Sequence, residues 1–282
     1  MSSAPPQVIC RRGLRPDFDA WELMDLKSGT QKSQAGGFRD MISIFAHALI
    51  IAFVVRVFFY QPFNIPSGSM QSTLLIGDYL FVSKLSYGYS KHSLPFSPDL
   101  FSGRIWGASP KRGDVAVFKL PRDNATDYIK RVIGLPGDEI VVRGGVLFIN
   151  GKEVPRRRVD DFVQIGEDGR ERRIPRYEET LPEGVKYYVL DARPNGDYDN
   201  VGPYKVPQGH YFMMGDNRDN STDSRDQSPR YGVGFVPLEN FIGRADIIFF
   251  SMAVDEPGRF ELTSPWTWPF DVRWNRIFKL VR

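Results

Sequence analysis

From Met41 to Phe59 the chain reads MISIFAHALIIAFVVRVFF, an apolar run interrupted only by Ser43, His47 and Arg56. A helix of that length can cross the roughly 30 Å hydrocarbon layer of a bilayer. Arg56 lies within one turn of the far end, so its stem can lie in lipid while the guanidinium reaches the headgroups. Length alone leaves a buried core helix open as the alternative. A cleaved targeting signal fits less well, because the apolar stretch is too long and starts too far from the N-terminus. Arg11, Arg12, Arg15, Lys27, Lys32 and Arg39 precede the run, whereas the uncharged Tyr60-Gln61-Pro62-Phe63-Asn64 follows it. That bias predicts an N-terminus held inside and a large C-terminal domain outside. The span is placed at 41–60, after a polar segment 1–40 in which Phe18, Trp21, Leu23 and Leu26 could support a short interfacial helix.

Beyond residue 60 the texture changes to short β-rich runs separated by Gly and Pro: Asp78–Ser83, Asp114–Phe118, Tyr128–Ile133, Glu139–Val142 and Val146–Ile149. Asn150-Gly151 follows the last of these and is a strong hairpin-turn signal. No long helical period appears, so this part is expected to be mainly β. Residues 152–208 are charged and Pro-rich and read as an inserted, less regular β subdomain. It divides a core into a first part, 61–151, and a second part with the C-terminal tail, 209–282. A chain of 282 residues, 41% hydrophobic and 25% charged, has an ordinary globular composition and length enough for a core without disulfide staples. The single cysteine, Cys10, excludes an intramolecular disulfide framework and a multi-cysteine zinc site, and leaves the redox compartment undetermined. A net charge of +3, carried in short basic clusters such as Arg156-Arg157-Arg158, gives no stripe for nucleic acid.

Three stretches carry potential chemistry. The first is Ile65-Pro66-Ser67-Gly68-Ser69-Met70, close behind the apolar run. About nine intervening residues span at most roughly 30 Å, so Ser69 would act near a membrane surface. A serine beside glycine can present an uncrowded hydroxyl, although a plain turn has the same composition. The second is Tyr128 through Asp138. Strand alternation there puts Tyr128, Lys130 and Val132 on one face, and Ile129, Arg131 and Ile133 on the other. Desolvation among bulky neighbours would lower the Lys130 pKa, the condition for a lysine general base, although a solvated strand lysine reads the same way. The third is Gly215 through Arg225. Its alternating Asp219, Ser221 and Asp223 suggest a calcium loop, but Ser224 and Arg230 stand where such a loop needs glycine and glutamate, so no metal is expected. The three histidines, His47, His92 and His210, lie in no recognisable triad motif, which leaves a Ser/Lys pair as the better nucleophile and base.

Together these blocks resemble the bacterial type I signal peptidases, Ser/Lys-dyad serine proteases. The matching runs are Ile65 through Asp78, Lys111-Arg112-Gly113-Asp114-Val115 with Phe118, Tyr128 through Asp138, and Met214 through Arg225. The resemblance implies that Ser69 attacks the scissile carbonyl and that Lys130 takes its proton. It implies an oxyanion hole from the Ser69 N–H and the Ser67 hydroxyl. Ser221 would orient the Lys130 amine, Asp223 would bridge Arg131 and Arg225, and Gly215 would support the site. The substrate would be a secreted preprotein cut after a small-x-small motif such as Ala-x-Ala. Shallow pockets lined by Ile65, Pro66, Met70, Leu74, Tyr128 and Ile129 would admit it, docked as an added strand beside Phe63–Ile65. Membrane lipid and the protein export machinery are further expected partners, with no cofactor and no nucleic acid. The expected location is a bacterial inner membrane with the catalytic domain periplasmic. A dedicated Ser/Lys peptidase with one substrate, of conjugative-pilus or organellar type, and a non-catalytic β-domain that binds exported chains are the alternatives. The sequence departs from the family in Met70-Gln71-Ser72-Thr73-Leu74, where a proline usually replaces Ser72, and in the extra Asp226–Arg230. The aromatic stretches Pro265–Phe270 and Trp274–Phe278 are expected to touch the membrane interface or to pack normally.

Overall fold

A computed structural model of the chain describes residues 37–94, 97–99, 101–166, 168–255, 266 and 268–282. The interfacial helix expected around Phe18, Trp21, Leu23 and Leu26 lies outside them. The chain divides into two units, Met1–Leu49 and Ile50–Arg282. In the first, the described residues are the opening turns of α1 (Gly37–Phe58). The second holds the end of α1 and every strand. α1 is the one described helix long and apolar enough to cross a membrane. It starts four residues before the expected span, with Asp40 in its first turn, where the helix dipole favours a negative charge.

The last carbonyls of a helix have no partner within it and must be met from elsewhere. Here the β domain meets them. Lys84 Nζ donates to Arg56 O at 3.0 Å and to Val57 O at 3.4 Å, and the Tyr89 hydroxyl donates to Phe58 O.

Sixteen strands follow among the described residues. Before the inserted segment come β1 (Tyr60–Asn64), β2 (Asp78–Ser83), β3 (Val115–Lys119), β4 (Asp127–Gly134), β5 (Glu139–Arg143) and β6 (Val146–Ile149). The segment expected to be less regular carries β7 (Lys152–Glu153), β8 (Arg156–Arg158), β9 (Phe162–Ile165), β10 (Glu171–Ile174), β11 (Arg176–Thr180), β12 (Lys186–Leu190) and β13 (Val201–Lys205). The core resumes with β14 (His210–Met214), β15 (Val236–Pro237) and β16 (Phe241–Ser251), and α2 (Trp268–Asp271) lies near the end. The expected runs become β2 to β6. Asn150 and Gly151, with φ of +53° and +77°, form the two-residue turn into β7.

The main sheet has seven strands in the order β1-β2-β16-β3-β4-β14-β15, and its assigned pairs are antiparallel. Register shifts interrupt the pairing of β16 with both neighbours, as expected of a long strand that must bend. At Gly243 in that strand a Cβ would lie 2.4 Å from Ser83 O, so only glycine allows the approach. Three strands separate β1 from β4, yet both reach one cleft, so the sheet is strongly coiled. β13 pairs with β5 in a four-stranded sheet with β6 and β7, while β12-β11-β8 and β10-β9 form smaller sheets. The inserted segment is therefore more regular than its composition suggests. Within it Glu179 is fully buried against Arg218 and the Tyr187 hydroxyl.

Candidate active site

Between β1 and β2 the chain makes one 3₁₀ turn, Gly68–Met70, which carries Ser69. Met70 and Leu74 turn inward and are completely buried with Ile65, Leu80 and Val115, which fixes the turn from below. Lys130 lies on β4, whose pairing with β3 sets Lys130 opposite Ala116 and Arg131 opposite Val115. The two faces of β4 then diverge as strand alternation requires.

On one face Lys130 Nζ hydrogen-bonds Ser69 Oγ at 2.7 Å and donates to Ile129 O at 3.0 Å. Only 3% of Lys130 is exposed. Burial pushes its amine down to about 8, with Asp223 and Asp216 pulling the other way and Arg225 reinforcing the drop. Ser67, in extended backbone ahead of the turn, is exposed, with its Oγ 3.5 Å from Ser69 Oγ.

On the other face Arg131 is wholly buried and bonds Asp216 through two nitrogens, at 2.8 and 2.7 Å. It also donates to Gly113 O at 2.8 Å and lies 4.4 Å from the Tyr187 ring centroid. This corrects the expected bridge. Asp223 does not reach Arg131; it takes two bonds from the Arg225 guanidinium, both at 2.9 Å, one from the Arg225 N–H at 3.1 Å and one from the Gly215 N–H. The reason is register: Met214 of β14 pairs with Arg131, so Asp216, two residues on, is the carboxylate that arrives there. Thr73 joins the same cluster, donating to Asp216 at 2.5 Å and accepting from Arg131 at 3.2 Å.

Two further expectations are corrected. Ser221 does not hydrogen-bond Lys130: its buried Oγ has no partner, and the amine's contacts are Ser69 and the Ile129 carbonyl. Met70 and Leu74 are not pocket walls: Met70 at the end of the 3₁₀ turn and Leu74 in the turn that follows both point into the core. Gly215 supports the site sterically: a Cβ there would lie 2.2 Å from Ser221 Oγ and 2.6 Å from Ser69 O. Only a glycine lets the Gly215–Arg225 loop close on the serine turn. At the changed position, the Gln71–Ser72 peptide is cis and Ser72 Oγ donates to Tyr188 O at 3.1 Å.

Ser69 and Lys130 stand in a cleft of about 620 Å³. Phe63, Ile65, Pro66, Tyr128 and Ile129 line it, as expected, and so do residues that sequence reading missed, among them Val117, Asn220, Thr222 and Tyr198. No histidine lines it. β1 pairs only with β2 among the described strands, which leaves its other edge available to an extended peptide.

The profile of the family described as "Signal peptidase, peptidase S26" matches residues 38–250. The chain belongs to the signal peptidase family. As a member it is a serine peptidase, a hydrolase of peptide bonds, anchored by an apolar helix. Signal peptidase I of Rickettsia typhi is 43% identical over 250 residues, covering 83% of this chain and 90% of the relative. That of Rickettsia canadensis is 40% identical over 271 residues, covering 91% and 97%. A crystal structure of a signal peptidase I from Enterococcus faecalis shares 27% identity with a TM-score of 0.28, over 49% of this chain and 97% of that one.

Proposed function

We propose that this peptidase removes signal peptides from secreted preproteins with Ser69 as nucleophile and Lys130 as general base. The observation that carries the reading is the 2.7 Å approach of a buried amine, lowered to about 8, to a serine hydroxyl in an open cleft. A neutral amine can accept the Ser69 proton as Oγ bonds to the scissile carbonyl carbon. The negative charge that develops on the carbonyl oxygen is met by the Ser69 N–H and the Ser67 hydroxyl. Collapse breaks the C–N bond, and the ammonium of Lys130 returns its proton to the departing amine. Water, deprotonated in turn by Lys130, then attacks the acyl carbon; the C–Oγ bond breaks, Lys130 returns the proton to Ser69 Oγ, and the signal peptide leaves with a new carboxylate.

The peptide ahead of the cut adds as a strand along β1 near Phe63 and Ile65, its small residues seated against Ile65, Pro66, Tyr128 and Ile129. A shallow wall of this kind admits alanine and rejects bulk, in keeping with an Ala-x-Ala type motif. The basic flank before α1 favours an N-terminus in the cytoplasm and the β domain outside, at a bacterial inner membrane where exported chains emerge. The exposed aromatics Trp266, Phe270, Trp274 and Phe278 supply interfacial contact with lipid. The test is cleavage of a purified preprotein by the wild type, Ser69→Ala and Lys130→Ala. Loss in both variants, with binding retained, is the expected result. Undiminished cleavage by either ends the dyad assignment, and a wild type that binds without cutting favours a carrier of exported chains.

A further inference from the structure

The inserted segment 152–208 supplies none of the reacting groups, yet Tyr198, on the connection between β12 and β13, lines the cleft with Ser69 and Lys130. Its ring centroid lies 5.1 Å from the Arg225 guanidinium carbon. Arg225 is itself buried and doubly bonded to Asp223, so the support beneath the ring is rigid. The connection is pinned as well. Asp219 accepts from the Ala192 and Arg193 N–H groups at 2.6 and 3.0 Å, and Asp199 accepts from the Gly196 N–H at 2.8 Å. Tyr198 is thus a half-buried aromatic side chain on a pinned connection, and it presents its ring to the cleft.

The strand that leads into Ser69, with β4 behind it, accounts for the part of the substrate ahead of the cut. Asp219, Asn220, Ser221, Thr222 and Tyr198 form the remaining wall of the same cleft, with Tyr198 its aromatic member. A continuous chain that passes Ser69 must meet that wall with the residues that follow the scissile bond. We infer that Tyr198 is a specificity-determining contact for the first residues of the mature protein, holding an apolar side chain there against its ring. The inserted segment then takes part in choosing substrates, and the enzyme reads sequence on both sides of the cut. This rests on the signal-peptidase reading above.

Two peptides with one Ala-x-Ala signal side separate the possibilities. One continues past the cut with valine and leucine; the other ends there in a small chromogenic amine. The full chain in detergent is assayed on both, as wild type, Tyr198→Ala and Tyr198→Phe. The inference predicts that Tyr198→Ala raises KM for the long peptide about tenfold with little change in kcat, and leaves the truncated peptide unaffected. Tyr198→Phe, which keeps the ring, restores the KM. Equal losses on both peptides, or a fall in kcat on both, would show that the ring only props Arg225 and would overturn the inference. So would a Tyr198→Ala enzyme that matches the wild type on both. A wild type that cuts neither peptide overturns the peptidase reading itself along with the inference.

Discussion

The two faces of β4 put adjacent cations in opposite circumstances. Arg131 is buried with a carboxylate on two of its nitrogens, a carbonyl on the third and an aromatic ring alongside. Lys130, one residue earlier, is nearly as buried but has a hydroxyl and a carbonyl and no carboxylate in contact. The two acids whose charge acts on it, Asp223 and Asp216, are each claimed by an arginine. A buried charge left without a direct counter-charge gives up its proton instead. The lesson is that the arginines hold the carboxylates, so burial can lower the lysine's pKa to about 8, where a fraction of neutral amine is available as a base.

The largest effect that can break this comparison is on activity. Lys130→Met should lower kcat/KM by about 10³-fold or more while the fold persists, as proteolytic resistance would report. Gly215→Ala comes next: the added methyl drives Ser221 and the Ser69 carbonyl apart, and kcat should fall about 10²-fold with KM less affected. On the Arg131 face the effect moves from rate to stability. Asp216→Asn leaves a buried arginine uncompensated and should cost about 3 kcal/mol in urea unfolding, with measurable turnover retained. The smallest effect is a slope. The folded Lys130 pKa of about 8 lies below its ordinary 10.5, so between those values the unfolded chain binds the extra proton. Stability should therefore rise with pH across that window, by roughly 1 kcal/mol per unit from this group, and Lys130→Met should flatten the rise.

Much of this was legible in the sequence because it is local. The apolar run gave α1, Asn150-Gly151 gave its hairpin, and alternation along Tyr128–Ile133 separated Lys130 from Arg131. The proximity of Ser69 to Lys130 across 61 positions came from the resemblance of ordered motifs, not from any periodicity. What failed depends on register and on turns. Alternation says that Arg131 points away from Lys130, but the pairing of β14 with β4 decides that Asp216 rather than Asp223 meets it. Met70 and Leu74 closely follow the nucleophile in sequence and read as pocket walls, whereas both are buried in the core. Nothing local in the charged 152–208 run announces that Arg218 and Tyr187 will enclose Glu179.

The pH dependence of kcat/KM on a preprotein, measured with the full chain in detergent, tests the central claim most directly. With Lys130 as the base, the rate must rise as its ammonium loses the proton, so the acid limb should have its midpoint at about 8. A limb at the ordinary lysine value of 10.5, or a rate that ignores pH through this range, would contradict the assignment.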